Sequence, residues 1–148
     1  MTIAAAVMFV NGLPFLITLS RAIKLVTVEF LPSHTAKELC NKLITIKKLY
    51  RRGGFNCRKA LMDMDFEKLE QVVEDMTINT TTTREHVGKI ERTIRTCKER
   101  RCSVMSELPY KKYMPDQFVI HLIYFVVMWM NAFPANINKA YKTGCTNL

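Results

Sequence analysis

The chain has 148 residues, of which 49% are hydrophobic and 24% charged, a balance that suits one packed domain and excludes an intrinsically disordered chain. Its length is short for two domains. Lys and Arg number 22 against 13 Asp and Glu, and the net charge of +9 favours a polyanionic partner, either nucleic acid or an anionic membrane surface.

From the amino terminus, Ala4 to Val10 and Phe15 to Ser20 are apolar runs joined by Asn11-Gly12, a hairpin turn signal. Lys24 to Leu31 follows, rich in β-branched and aromatic residues, so three strands form an antiparallel meander. The period then changes. Ala36, Leu39, Cys40, Leu43, Ile46 and Tyr50 make a helical stripe, opened by a Thr35/Glu38 capping box and stopped by Gly53-Gly54.

Asn56 to Met62 reads as a fourth strand, buried at Ala60-Leu61-Met62. Phe66, Leu69, Val72, Val73 and Met76 mark a short helix, and Thr77 to Thr81 a short fifth strand. A second capping box, Thr82 with Glu85, opens a helix to about Cys102 with Val87, Ile90, Ile94 and Cys97 facing inward. Ser103 to Met114 reads as a loop, and an apolar helix starts near Pro115. The expected domain is 1–134, with 135–148 a polar tail. Strand and helix order predicts an α/β fold with a mixed five-stranded sheet flanked by helices; the order matches the ribonuclease H-like fold, one of several that the pattern alone allows.

Neither apolar end reads as a membrane element. Asn11-Gly12-Leu13-Pro14 interrupts Met1 to Leu19, which has no basic leader region. Phe118 to Phe133 falls short of the roughly 20 residues that span a bilayer, and it contains His121 and Asn131. His121 is expected in the core, as are Trp129 and the methionines around it. A basic membrane-surface protein is a further class, excluded if high-salt extraction leaves the chain soluble. The five cysteines, Cys40, Cys57, Cys97, Cys102 and Cys145, have no Cys-x-x-Cys pair and no zinc-type quartet with His. They read as reduced thiols of a nuclear or cytoplasmic protein, not a secreted one. The sequon Asn79-Thr80-Thr81 has nothing beside it to support export.

Two segments concentrate chemistry. Leu61-Met62-Asp63-Met64-Asp65-Phe66-Glu67 puts acids at the end of a buried strand, and Glu85-His86-Val87-Gly88-Lys89-Ile90-Glu91-Arg92 opens a basic helix. Taken alone, Asp63 can be a solvated strand-end carboxylate, and Glu91 a helix-surface partner in a salt bridge. Arg95 and Lys98 share the Glu91 face and could follow a DNA backbone, or simply form a solvated basic face. The runs Lys47-Lys48, Arg51-Arg52 and Arg100-Arg101 read as solvated charge.

Together these segments resemble the second and third acidic motifs of the integrase catalytic core of copia-type retrotransposons. In that family an Asp ends a strand shortly before an acidic-Phe pair, as Asp63 does before Asp65-Phe66. A later Glu precedes an Arg, three residues after a Gly, as Gly88, Glu91 and Arg92 do. Asn11-Gly12-Leu13-Pro14-Phe15-Leu16-Ile17-Thr18-Leu19-Ser20-Arg21 is similar to the opening of one branch, where the first catalytic Asp directly precedes Val-Met-Phe-Val-Asn. Here Val7-Met8-Phe9-Val10-Asn11 is intact, but Ala6 stands at the Asp position. The 27 residues between Asp63 and Glu91 are fewer than the family usually has. The resemblance spans about 4–133, so it covers the domain.

The resemblance implies DNA integration by strand transfer on two Mg²⁺ (or Mn²⁺) ions held by carboxylates. Asp63 and Glu91 would be the catalytic and metal residues, with Asp65 an alternative to Asp63. Lys89, Arg92, Arg95 and Lys98 would bind DNA without reading sequence, with His86 near the metals. Self-association is a further expectation. Alanine offers no oxygen to bridge two ions, so this copy is expected to be inactive. The alternative is a non-catalytic basic remnant that binds nucleic acid with the same fold. The family's zinc-binding amino-terminal module has no counterpart in these residues.

Overall fold

The computed structural model describes residues 1–62, 76–79, 84–109 and 113–133. Strands β1 (Thr2–Val10), β2 (Leu13–Ser20) and β3 (Val26–Phe30) precede α1 (Ala36–Arg52). Then come β4 (Lys59–Leu61), β5 (Thr77–Asn79), α2 (Arg84–Glu107) and α3 (Asp116–Ala132). The sheet order is β3-β2-β1-β4-β5, with the first three strands antiparallel and β4 and β5 parallel to β1. This is the mixed five-stranded α/β sheet that the sequence predicts.

The first hairpin turns on Asn11 and Gly12, at φ of 51° and 76°, with Val10 opposite Leu13. Both residues of a type I′ turn need positive φ, which is why Asn-Gly closes it so tightly. Alternation along β1 then decides what each face carries. Ile3 and Ala5 face a cluster built with α1, while Ala4, Met8 and Val10 face one built with α2 and α3. Ala4-Ala5-Ala6 is a helix-favouring run, yet it lies in a central strand covered on both faces. There the small side chains let helices approach from either side.

α1 buries Leu39, Cys40, Leu43, Ile46 and Tyr50, while Ala36 is exposed. Thr35 Oγ1 accepts from the Glu38 N–H at 3.3 Å, and Gly54 leaves the helix at φ 83°. α3 guards the free edge of β3. Asn131 Nδ2 donates to the Val26 carbonyl at 2.7 Å, and its Oδ1 accepts from the Val26 N–H at 2.8 Å. Tyr124 Oη accepts from the Phe30 N–H at 3.0 Å. Side chains here take the place of another strand and block edge pairing.

Several expectations need correction. Strand β4 covers only Lys59–Leu61, because Asn56 to Arg58 form a lead-in rather than strand. β3 is likewise shorter than Lys24 to Leu31, with Lys24 at φ 59° in the preceding turn. α2 runs on to Glu107, so the expected loop from Ser103 starts five residues late. Val104 and Met105 extend the inward stripe, and the helix stops ahead of Pro109. Pro115 is the N-cap of α3 and precedes its first turn. His121 is exposed, and Trp129 is 48% exposed, so neither is a core residue. Phe118, Phe125, Met128 and Phe133 are exposed with them. α3 is apolar almost all round, but the sheet and α2 cover only part of its circumference. The expected helix at 66–76 lies outside the described residues except for Met76, which is buried but not helical just ahead of β5; Thr80, Thr81, the Thr82 cap and the tail beyond Pro134 also lie outside them.

Candidate nucleic-acid and metal site

Ala6 is the middle residue of β1, paired with Ile17 of β2. Its methyl packs against the cluster shared by β1, β2, α2 and α3, the same cluster that buries Ile90 and Cys97 of α2. The residue after Ile90 is Glu91, which is exposed. Burial of Ile90 therefore docks the early turns of α2 on the face of the sheet that carries Ala6, and leaves Glu91 at the margin of that contact. On the other side of β1, the parallel register pairs Ala4 with Leu61. Ala6 and Asp63 each lie two residues beyond that pair in sequence. Asp63 and Asp65 are outside the described residues, as are the side chains of Glu85, His86 and Val87.

Glu91 forms no ion pair among the described residues, so the salt-bridge reading of this side chain finds no partner there. Lys89, Arg92, Arg95 and Lys98 are all exposed. Glu91, Arg95 and Lys98 border one shallow groove of about 660 Å³ with Ile94, Glu99 and Cys102. Gly88, one turn before Glu91, is exposed, and a Cβ built on it would meet nothing within 4 Å. Packing within the described chain does not require this glycine. Among the described residues no three His, Cys, Asp or Glu side chains gather to hold a metal ion.

Two cysteines differ in kind. Cys97 is fully buried, and desolvation pushes its thiol up to about 11 although Lys98, Arg101 and Arg100 pull the other way. Cys102 is exposed in the groove. Arg101, set aside in sequence as part of a charge run, has a definite place: its Nη1 donates to Asn11 Oδ1 at 2.8 Å. The signal was its spacing, since 90, 94, 97 and 101 lie on the inner face of one helix.

Over 86% of this chain, the structure is similar to the catalytic core domain of BIV integrase, with a TM-score of 0.57 and 14% sequence identity, covering 78% of that chain. The fold is that of a retroviral integrase catalytic core. No known protein-family profile and no curated protein matches the sequence. At this identity the likeness carries the fold alone. It supports the ribonuclease H-like expectation for the integrase-like sheet and helices described above. No described helix is long and apolar enough to cross a membrane.

Proposed function

We propose that the chain is the integrase core of a copia-type retrotransposon, that it contacts DNA backbone along α2, and that it no longer performs strand transfer. The observation that carries this reading is Ala6, a methyl in the middle of β1 on the face where α2 docks. In sequence, Ala6 and Asp63 are each two residues beyond the Ala4–Leu61 pair, which agrees with the motif spacing of the resemblance. Ile90 supports putting Glu91 on the same side.

Two divalent ions about 4 Å apart need a carboxylate between them to offset their repulsion. The Ala6 side chain has no carboxylate to bridge them, so the residues present do not fit a shared two-ion centre. Asp63 and Glu91 remain as ligands for one Mg²⁺ or Mn²⁺ ion, and Asp65 is the alternative to Asp63. The remaining function is binding: Lys89, Arg92, Arg95 and Lys98 offer exposed charge and no base-reading arrangement, so affinity should be independent of sequence and fall with salt.

The deciding experiment is a strand-joining assay with Mg²⁺ and Mn²⁺ on the unaltered chain and on Ala6→Asp. The unaltered chain should give no joined product, while Ala6→Asp should gain thermal stabilisation from Mn²⁺. Joining by the unaltered chain that Asp63→Asn abolishes would overturn the inactive reading. A second reading, a remnant kept only for nucleic-acid binding, has the same starting observation. Mn²⁺ would then leave the melting temperature of Ala6→Asp unmoved while salt-sensitive DNA binding persisted.

A further inference from the structure

Lys47-Lys48 and Arg51-Arg52 read in sequence as solvated runs, but the fold separates their members. Lys47 and Arg51, one turn apart near the end of α1, line a cavity of about 500 Å³ together with Arg58, Phe55, Asn56 and Thr77. Lys48 and Arg52 lie outside it and are exposed. Among the described residues no acidic side chain lines this cavity.

The walls are held by backbone. The Arg58 N–H donates to the Met1 carbonyl at 3.1 Å, and the Arg58 carbonyl accepts from the Thr77 N–H at 2.9 Å. The Phe55 N–H donates to the Tyr50 carbonyl at 2.9 Å, just after Gly54 turns the chain at φ 83°. The Phe55 ring lies against Gly53, yet it stays 39% exposed. An exposed aromatic ring thus stands among three cations on a fixed frame.

We propose that this cavity binds the phosphates of a single nucleic-acid strand, with Lys47, Arg51 and Arg58 on the backbone and Phe55 stacked on a base. Guanidinium groups match phosphate oxygens in a fork, and an aromatic face accepts any unpaired base. A duplex hides its base faces, which favours the single strand. The site is distinct from the α2 face. It lies where β1, β4 and β5 begin, and Ala6 is four residues, roughly 13 Å, further along β1 from Thr2. α1 also covers the opposite face of the sheet from α2. The inference rests on the reading that this domain contacts DNA, but on different residues.

The test uses the full chain and the anisotropy of a labelled dT12 strand, with a duplex of equal length beside it. Arg51→Gln with Arg58→Gln should weaken dT12 binding at least tenfold and reduce the salt slope by roughly 1.4, the value for two phosphates of a single strand left without a cation. Phe55→Leu should weaken it at least fivefold with the slope unchanged. Lys48→Gln with Arg52→Gln removes equal charge outside the cavity and should cost less than threefold. If that control weakens binding as much as the cavity pair, diffuse charge explains the affinity and the site is refuted. Tight pyrophosphate binding that the cavity pair abolishes, with dT12 affinity unmoved, would assign the cavity to a free phosphate compound and equally refute it. Arg95→Gln with Lys98→Gln separates the two surfaces. Loss in that variant alone sinks this proposal and leaves the α2 reading standing; loss in the cavity pair alone does the reverse. Should the double variant melt early, Arg51→Lys with Arg58→Lys, which keeps charge but not the fork, must still weaken dT12.

Discussion

Arg101 on α2 donates from Nη1 to Asn11 Oδ1 in the β1–β2 turn at 2.8 Å, joining residues 90 apart in sequence. The bond ties the second half of α2 to the end of β1, while Ile90 anchors the first half in the cluster below. Two attachments about 11 residues apart hold the helix along the sheet, and Glu91 lies beside the first of them. Arg101→Met keeps the aliphatic stem and removes the donor. It should lower stability by about 0.5–1.5 kcal/mol in urea denaturation, as for one partly exposed charge-assisted bond. Unchanged stability would mean that the tie does not persist in solution.

Gly88 sits inside α2 with open space where its Cβ would be. Gly88→Ala should therefore stabilise the chain by roughly 0.5–1 kcal/mol, the difference in helix propensity. If DNA passes this turn, the same change should weaken duplex binding. Stabilisation without any loss of binding would place the DNA path elsewhere.

Asn131 satisfies both backbone groups of Val26 on the open edge of β3. Asn131→Ala leaves that N–H and carbonyl without these partners and should cost about 1–3 kcal/mol. Asn131→Asp should cost at least as much, because its carboxylate faces the Val26 carbonyl while only the acceptor for the N–H is kept. Tyr124→Phe, which loses a more exposed bond to the Phe30 N–H, should cost less. Equal losses in all three would show that packing, not edge capping, dominates.

Burial pushes Tyr50 up to about 12 and Cys97 up to about 11. In the unfolded chain both protons leave at the lower, ordinary values, so the stability they contribute is complete below those values. It is lost as pH rises toward the folded ones, a window of roughly pH 9 to 12. The unfolding free energy from urea denaturation should fall through this window, by on the order of 2 kcal/mol for Tyr50. Tyr50→Phe should flatten the upper part of the profile while losing the bond from Tyr50 Oη to the Leu25 carbonyl at 3.3 Å. A profile flat to pH 12 in the unaltered chain would contradict the burial argument. In the folded protein at neutral pH, iodoacetamide should label exposed Cys102 well before Cys97.

The sequence by itself determined the elements whose local period and punctuation agree: the Asn11-Gly12 hairpin, the stripe of α1 and its Gly53-Gly54 stop, and the strand order that makes a mixed sheet. The hairpin and the helix depend on neighbours a few residues away, so a linear reading finds them; the mixed sheet follows from the order of the elements, although its β1–β4 pairing joins residues 57 apart. Only the tertiary structure decided which sides of an element meet a partner. α3 is apolar on nearly every side, and no periodicity could say that His121 and Trp129 would fall where the sheet and α2 do not reach. α2 outran its expected end because Val104 and Met105 find apolar contacts with residues distant in sequence. Arg51 and Arg52 are alike as letters, yet only Arg51 lines the cavity that Arg58 helps to form, since a helix turns neighbouring side chains about 100° apart. The position of Ala6 was legible from the motif around it. That its methyl packs against the cluster to which Ile90 belongs depended on the docking of α2, an element that begins 78 residues after Ala6.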